Sequence, residues 1–269
     1  MPHVAALYRH PVKGFTPESR DSLVVRADGR IEGDRVLAFR FANATEPVVR
    51  DGLNYWPKTE GLAMQDTPSI GPLTLTFDDD AQRVRLAQGR DVVLDVALDE
   101  GGRRLLCDYV TTVLLEGPQA QRLREPGRLP LVLVGDGRTS QFQDRLRGFI
   151  SVHGRGSLLA LSEAVSADLD ERRFRSNIAV DGLDAWDELA WAGRVRIGAV
   201  EFEVSHQIVR CLATHANPET GERDAEVLTT LTRTFGHEKP SFGTLLLPAG
   251  ASAEQGGTIH VGDEVEVLG

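Results

Sequence analysis

The sequence predicts a mainly β fold with a few short helices, and three observations carry that expectation. Short alternating or wholly apolar segments recur between Gly, Pro and Asp punctuation along most of the chain. Two-residue polar centres of the kind that close tight hairpins stand at Asp28-Gly29 and Gly262-Asp263. No succession of strand, helix, strand, helix appears that would build a doubly wound parallel sheet.

In chain order, the expected strands of the first half are Val4 to Arg9, Ser22 to Arg26, Val36 to Phe41, Leu73 to Phe77, Val92 to Leu98 and Leu105 to Leu115. They read as an antiparallel β lobe. The polar stretch Gly117 to Pro130, which holds Pro118, Pro126, Gly127 and Pro130, is the expected boundary, giving domains of 1–116 and 117–269. Beyond it the apolar run Ser157 to Leu161 reads as a strand. Ser162 then reads as the N-cap of a short helix through about Leu169, and a second helix is expected over Glu226 to Phe235. The remaining strands are Asn177 to Val180, Arg194 to Ile197, Val200 to Val204, Ile208 to Leu212 and Gly243 to Leu247. A closing hairpin is expected from Thr258 to Val261 and Glu264 to Leu268 about Gly262-Asp263.

Composition narrows the function. With 269 residues, 41% hydrophobic and 26% charged, the chain can bury one large or two modest cores. A formal net charge of -10 argues against a general nucleic-acid or anionic-membrane surface, since either polyanion would be repelled. No apolar run approaches the roughly 20 residues needed to cross a bilayer. The first residues lack the basic flank and apolar stretch of a secretory signal, so the expected compartment is the cytoplasm. Two cysteines, Cys107 and Cys211, do not make a disulfide framework.

Cys211 is the residue on which chemistry would turn. It follows Arg210 in the apolar run Val209 to Ala213, which empties into the polar turn Asn217-Pro218-Glu219-Thr220-Gly221. A thiolate there would be stabilised by charge and reachable, as a nucleophile or metal ligand requires; taken alone, an isolated cysteine is more often an inert, small core residue. Cys107, within Leu105-Leu106-Cys107, reads as core. His206, Cys211 and His215 lie close in sequence, but an offset of five puts His206 and Cys211 on opposite strand faces, which does not suit a structural zinc. Phosphate-loop, dinucleotide and serine-hydrolase signatures are missing. Lys13, Arg35 and Arg175 each adjoin an apolar strand rather than sitting in a charge run. Taken singly, each reads first as a solvated or salt-bridged cation; converging, they would make an anion pocket suited to a phosphate.

Six short motifs, in order, resemble a known family along nearly the whole chain. They are Pro11-Val12-Lys13-Gly14, Gly33-Asp34-Arg35, Leu161-Ser162-Glu163-Ala164, Phe174-Arg175-Ser176-Asn177 through Gly182, Arg210-Cys211 with Thr214, and Gly257 through Asp263. The C-terminal half resembles a MOSC domain, and the N-terminal half resembles the β-barrel domain that precedes it. The resemblance implies a barrel-like first domain followed by a MOSC-type β-barrel. By pattern it is similar to the mitochondrial amidoxime reducing components and their bacterial counterparts, which reduce N-hydroxylated compounds at a pterin-bound molybdenum.

That resemblance implies that Cys211 ligates molybdenum and is the catalytic residue. It implies that Lys13, Arg35, Ser162, Arg175 and Asn177 hold the pterin and its phosphate, with Arg210 and Thr214 flanking the metal. The implied cofactor is molybdenum bound to molybdopterin, and the implied partners are a small N-hydroxylated substrate and a separate electron-transfer protein. The sequence itself holds no iron–sulfur cysteine set and no flavin or nicotinamide fingerprint to deliver electrons. Two other readings remain open: a sulfur carrier acting through a persulfide on Cys211, without the pyridoxal-phosphate desulfurase part, and a module that holds the cofactor without turnover.

Overall fold

In the computed structural model, residues 1–46, 48–50, 53–55, 58–144 and 148–268 are described, with backbone alone at 48–50, 53–55 and 58. The first half runs β1 (His3–Arg9), β2 (Glu18–Arg20), β3 (Ser22–Val25), β4 (Ala38–Arg40), β5 (Val48–Arg50), β6 (Leu53–Tyr55), β7 (Leu73–Asp78), β8 (Arg83–Gln88), β9 (Asp91–Ala97) and α1 (Glu100–Glu116). Next come α2 (Ala120–Leu123), β10 (Val132–Val134), β11 (Ile150–Gly154), α3 (Arg155–Val165), β12 (Ile178–Asp181), α4 (Asp187–Ala190), β13 (Arg194–Ile197) and β14 (Val200–Val209). The chain closes with α5 (Val227–Arg233), β15 (Ser241–Pro248), α6 (Ser252–Gln255), β16 (Gly257–His260) and β17 (Val265–Val267).

The fold is mainly β, as expected. An eight-stranded sheet in the order β17-β13-β14-β15-β11-β12-β1-β2 forms the frame. Its central strands β11 and β15 are deeply buried, with Ile150, Val152, Phe242 and Leu246 in the cores and the polar Ser151, His153, Ser241 and Thr244 buried among them. The meander β7-β8-β9 shows the other pattern: Leu73, Leu75 and Phe77 point into the core while Thr74 and Thr76 alternate outward.

Strands pass between the two halves. β1 pairs with β12, and β3 pairs with β16, so the N-terminal segment is stitched into the C-terminal sheet. Conversely, β10 pairs with β4, and Leu123, Leu131 and Leu133 pack in the core of Phe15, Phe39 and Leu75. A second core, with Leu7, Val152, Ile178 and Phe202, fills the large sheet.

Three local expectations are corrected. Leu105 to Leu115 is not a strand but most of α1, capped by the Asp99 carboxylate, which accepts the Gly102 N–H at 2.8 Å. Its buried Leu106, Val110 and Leu114 recur at helical spacing, and burying that stripe outweighs the strand preference of the β-branched run Val110 to Val113. Ser157 to Leu161 is likewise helical, in α3, which joins the parallel pair β11 and β12. Ser162 is therefore inside α3 rather than capping a helix, and α3 ends at Ser166 in the left-handed conformation. Finally, β16 and β17 pair with β3 and β13 respectively, not as a hairpin with each other. Among the described residues no helix is long and apolar enough to cross a membrane.

Candidate functional site

Where β14 ends, the chain turns into a 3₁₀ turn over Leu212–His215, and Cys211 stands at the junction as the residue capping that turn. The Thr214 hydroxyl donates to the Cys211 carbonyl at 3.0 Å, and the Thr214 N–H reaches the same oxygen. Thr214 thus shapes the turn that presents the thiol. Cys211 is part-exposed, between the exposed side chains of Val209 and Leu212, and its side chain lies on a cavity of about 200 Å³.

Arg210 also lines this cavity, rigidly held. Its Nε donates to the Phe242 carbonyl at 2.7 Å and its Nη1 to the Phe174 carbonyl at 2.6 Å, with both rings 5.6 Å from the guanidinium carbon. Gly243 makes room for it: at φ +76°, a Cβ there would stand 3.0 Å from Arg210 Nη2 and 2.4 Å from the Val152 carbonyl oxygen.

Three further arginines line the same cavity. Arg35 enters from the N-terminal half, with φ 56°; its N–H donates to the His10 carbonyl at 2.6 Å, and its guanidinium pairs with Asp34. Arg175, with φ 53°, donates to the Phe15 carbonyl at 2.5 Å. Arg173, buried, reaches the His215 carbonyl at 3.0 Å and Asp224 at 2.6 Å. Among the described residues the cavity wall holds four arginines, Arg35, Arg173, Arg175 and Arg210, against one carboxylate, Asp144.

Burial and like charge lower the proton affinity of groups in this cluster. Burial first, and then the neighbouring Arg35, pull the Arg175 guanidinium down to about 10, with Asp144, Asp34 and Cys211 opposing. It remains a cation at neutral pH. His10, fully buried, is pushed well below its ordinary value by burial and then by Arg175 and Arg35, so it stays neutral.

The turn that carries Arg173 and Arg175 is anchored from behind. Glu171 starts this 3₁₀ turn, and its carboxylate accepts from Tyr8 Oη at 2.7 Å and from Arg155 at 2.9 and 3.0 Å. Burial alone would raise the Glu171 carboxyl, yet the neighbouring His153 at 3.6 Å and the hydrogen bonds from Arg155 and Tyr8 hold it well below the usual carboxylate range.

Of the residues expected from sequence, the structure brings Arg35, Arg175, Asn177, Arg210, Cys211 and Thr214 onto one cavity. Lys13 stands just behind, its Nζ 2.8 Å from Asp144 on the wall. Asn177 frames rather than reaches: its side-chain oxygen accepts from Ser151 Oγ at 2.9 Å and its amide donates to the Tyr8 carbonyl at 3.2 Å. Ser162 is elsewhere, its hydroxyl accepting the Leu169 N–H at 3.2 Å, and it is not on the cavity wall. Arg173 and Asp144 were missed. The basic run Arg172-Arg173-Phe174-Arg175 was a usable signal for the first; nothing local set Asp144 apart from the other acidic loop residues.

Residues 144–266 match the sequence profile described as the MOSC domain. This segment is a MOSC domain. It supplies Cys211 and the arginines at 173, 175 and 210, while Lys13 and Arg35 approach from outside the MOSC segment. The chain is 27% identical to the molybdenum cofactor sulfurase of Caenorhabditis elegans over 254 residues, which is 90% of this chain and 33% of that protein. It is 39% identical over 79 residues to the molybdenum cofactor sulfurase of Drosophila pseudoobscura pseudoobscura, 29% of this chain and 10% of that one. The chain thus spans a third or less of the length of these relatives. Among solved structures, the YuaD protein from Bacillus subtilis superposes with a TM-score of 0.42 at 11% identity, covering 98% of this chain and 94% of that one.

Proposed function

We propose that this chain holds a molybdenum cofactor through Cys211 and the arginine-lined cavity, and reduces N-hydroxylated compounds with electrons from a separate donor protein. The observation that carries the reading is the pairing of one part-exposed thiol with four arginines on a single cavity wall. The residues suit the group. A soft thiolate matches a molybdenum centre, and the cation excess matches a phosphate that would otherwise lose hydration without compensation. Arg35, Arg175 and Lys13 would hold the phosphate. Arg210, fixed by two carbonyls and two phenyl rings, would hold a cation on the wall beside the ligating residue.

When bound, the cofactor supplies the two-electron redox chemistry. The protein's share is to bind and orient it, and to give substrate a partly apolar floor from Phe149, Ile208 and Leu245 on the same cavity. The test is benzamidoxime reduction by protein from a molybdate-supplied host, driven by an artificial reductant: turnover in wild type and its loss in Cys211→Ala support the reading.

A second reading is favoured by the names of the relatives, which are molybdenum cofactor sulfurases. There Cys211 would carry a persulfide for transfer, and the same cations would hold the acceptor. Intact-mass measurement separates the two: an added sulfur atom on Cys211, lost on mild reduction, with no benzamidoxime turnover, would favour transfer over reduction.

A further inference from the structure

We infer that His215 is a positioning residue for Cys211: its ring nitrogen caps α5 and so ties the turn that bears the thiol to that helix. The inference holds for either chemistry proposed for Cys211 and rests only on the thiol being the working group of the cavity.

The tie supplies something α5 lacks. Leu228 is the second residue of α5, and N–H groups in the first turn of a helix have no acceptor within the helix. Glu226, which precedes α5, makes no side-chain capping bond. The acceptor comes instead from 13 residues earlier, where His215 Nε2 takes the Leu228 N–H at 3.2 Å. His215 is 6% exposed and is the last residue of the 3₁₀ turn Leu212–His215 that Cys211 caps. Its carbonyl is held separately, accepting from Arg173 Nη1 at 3.0 Å and from the Asp224 N–H at 3.2 Å. The ring bond therefore adds a connection to α5 that those two bonds do not make. α5 in turn buries Val227 and Leu231 in one core with Phe174 and Phe242, the rings that flank the Arg210 guanidinium. One bond joins the thiol's turn to the packed unit that seats Arg210.

An imidazole nitrogen accepts only while it carries no proton, so this bond requires the neutral ring with its hydrogen on Nδ1. An imidazolium would lose the acceptor and set a positive charge at the N-terminal end of α5, where the helix dipole opposes it. The charged groups about the ring are Glu226 at the start of α5, Arg223 and Asp224 in the connection before it, and Arg173 from the 3₁₀ turn Glu171–Phe174. Asp224 is itself paired with Arg173 at 2.6 Å. Burial, chiefly, with Arg223 and Arg173, holds the ring below its ordinary value against the pull of Glu226, which favours the accepting form.

Amide hydrogen exchange at Leu228 and Thr214, read by NMR in wild type, His215→Ala and His215→Gln, tests this. The Thr214 N–H donates to the Cys211 carbonyl at 3.1 Å, so its exchange reports opening of the thiol's turn itself. In His215→Ala at about pH 7.5, where the ring is neutral, protection of both amides is expected to fall about tenfold, as the loss of one hydrogen bond allows. His215→Gln offers an acceptor that does not titrate and is expected to keep both near wild type. Between about pH 7.5 and about pH 4.5, protection corrected for the intrinsic exchange rate is expected to fall in wild type and to stay flat in His215→Gln. Loss at Leu228 with Thr214 unchanged overturns the positioning role. Unchanged Leu228 protection in His215→Ala, or a wild-type profile as flat as that of His215→Gln, overturns the tie itself. If His215→Ala does not fold, the two acid profiles decide alone. Molybdenum content is a separate measurement, so failure of the cofactor reading and failure of this tie are told apart.

Discussion

Arg35 and Arg175 come from opposite halves of the chain, each in the left-handed backbone region, and turn their guanidinium groups onto one cavity. Left-handed backbone in a bulky residue costs of order 1 kcal/mol or more, and two like charges brought together cost further. On the function proposed above, that paired charge serves to hold a phosphate.

Replacing Arg175 by Glu therefore reverses the field where a phosphate would sit. Loss of one charge-assisted hydrogen bond to a phosphate costs about 1.5–3 kcal/mol, and an added carboxylate costs more. Molybdenum content per chain of Arg175→Glu, measured by elemental analysis against wild type from the same molybdate-supplied host, is expected to fall at least about tenfold. Unchanged content would remove Arg175 from the cofactor's surroundings.

Acid should weaken the fold before its carboxylates titrate. His10 and His215 are both held below their ordinary value, each chiefly by burial. The unfolded chain takes up protons near about pH 6.5 that the folded chain refuses, so their contribution is intact above that pH and lost as pH falls toward the depressed folded values. Urea midpoints should drop between about pH 7.5 and about pH 5.5, and His10→Gln should flatten that slope. Glu171 is shifted in the same direction but in a lower pH range: its folded value is depressed, so its stabilisation holds above the ordinary carboxylate range and is lost only in stronger acid.

Gly243→Ala should test how tightly Arg210 is seated. The positive φ and the 2.4 Å approach of a Cβ to the Val152 carbonyl predict a loss of about 2 kcal/mol or more. The same variant should lose cofactor more readily than its stability alone explains, because the guanidinium beside Cys211 must shift. Urea denaturation and molybdenum retention during dialysis measure the two effects separately.

Removing the anchor behind the site should be costly in a different way. Glu171→Ala leaves Arg155, whose side chain is 38% exposed, and Tyr8 without their shared acceptor in a part-buried setting, with an expected loss of about 1–3 kcal/mol in stability. Differential scanning calorimetry of the cofactor-free protein checks it.

Much of the site was legible because its residues are locally odd. Lys13, Arg35 and Arg175 are cations placed against apolar strands, and Cys211 follows an arginine at the mouth of a strand. The convergence of these residues depends on β1 and β3 joining strands far away in sequence, which no local pattern records. Asp144 was illegible for the same reason: it looks like an ordinary surface charge until a distant residue, Lys13, is brought beside it. The β strands of the meander followed from alternation, whereas α1 and α3 did not, since short apolar runs fit strand and helix alike until burial selects the stripe.

The measurement that bears most directly on Cys211 is molybdenum analysis of gently purified wild type and Cys211→Ala, both expressed with molybdate and confirmed folded by circular dichroism. The account predicts stoichiometric metal in the wild type and almost none in the variant. Equal metal in the two proteins, or none in either, would contradict it.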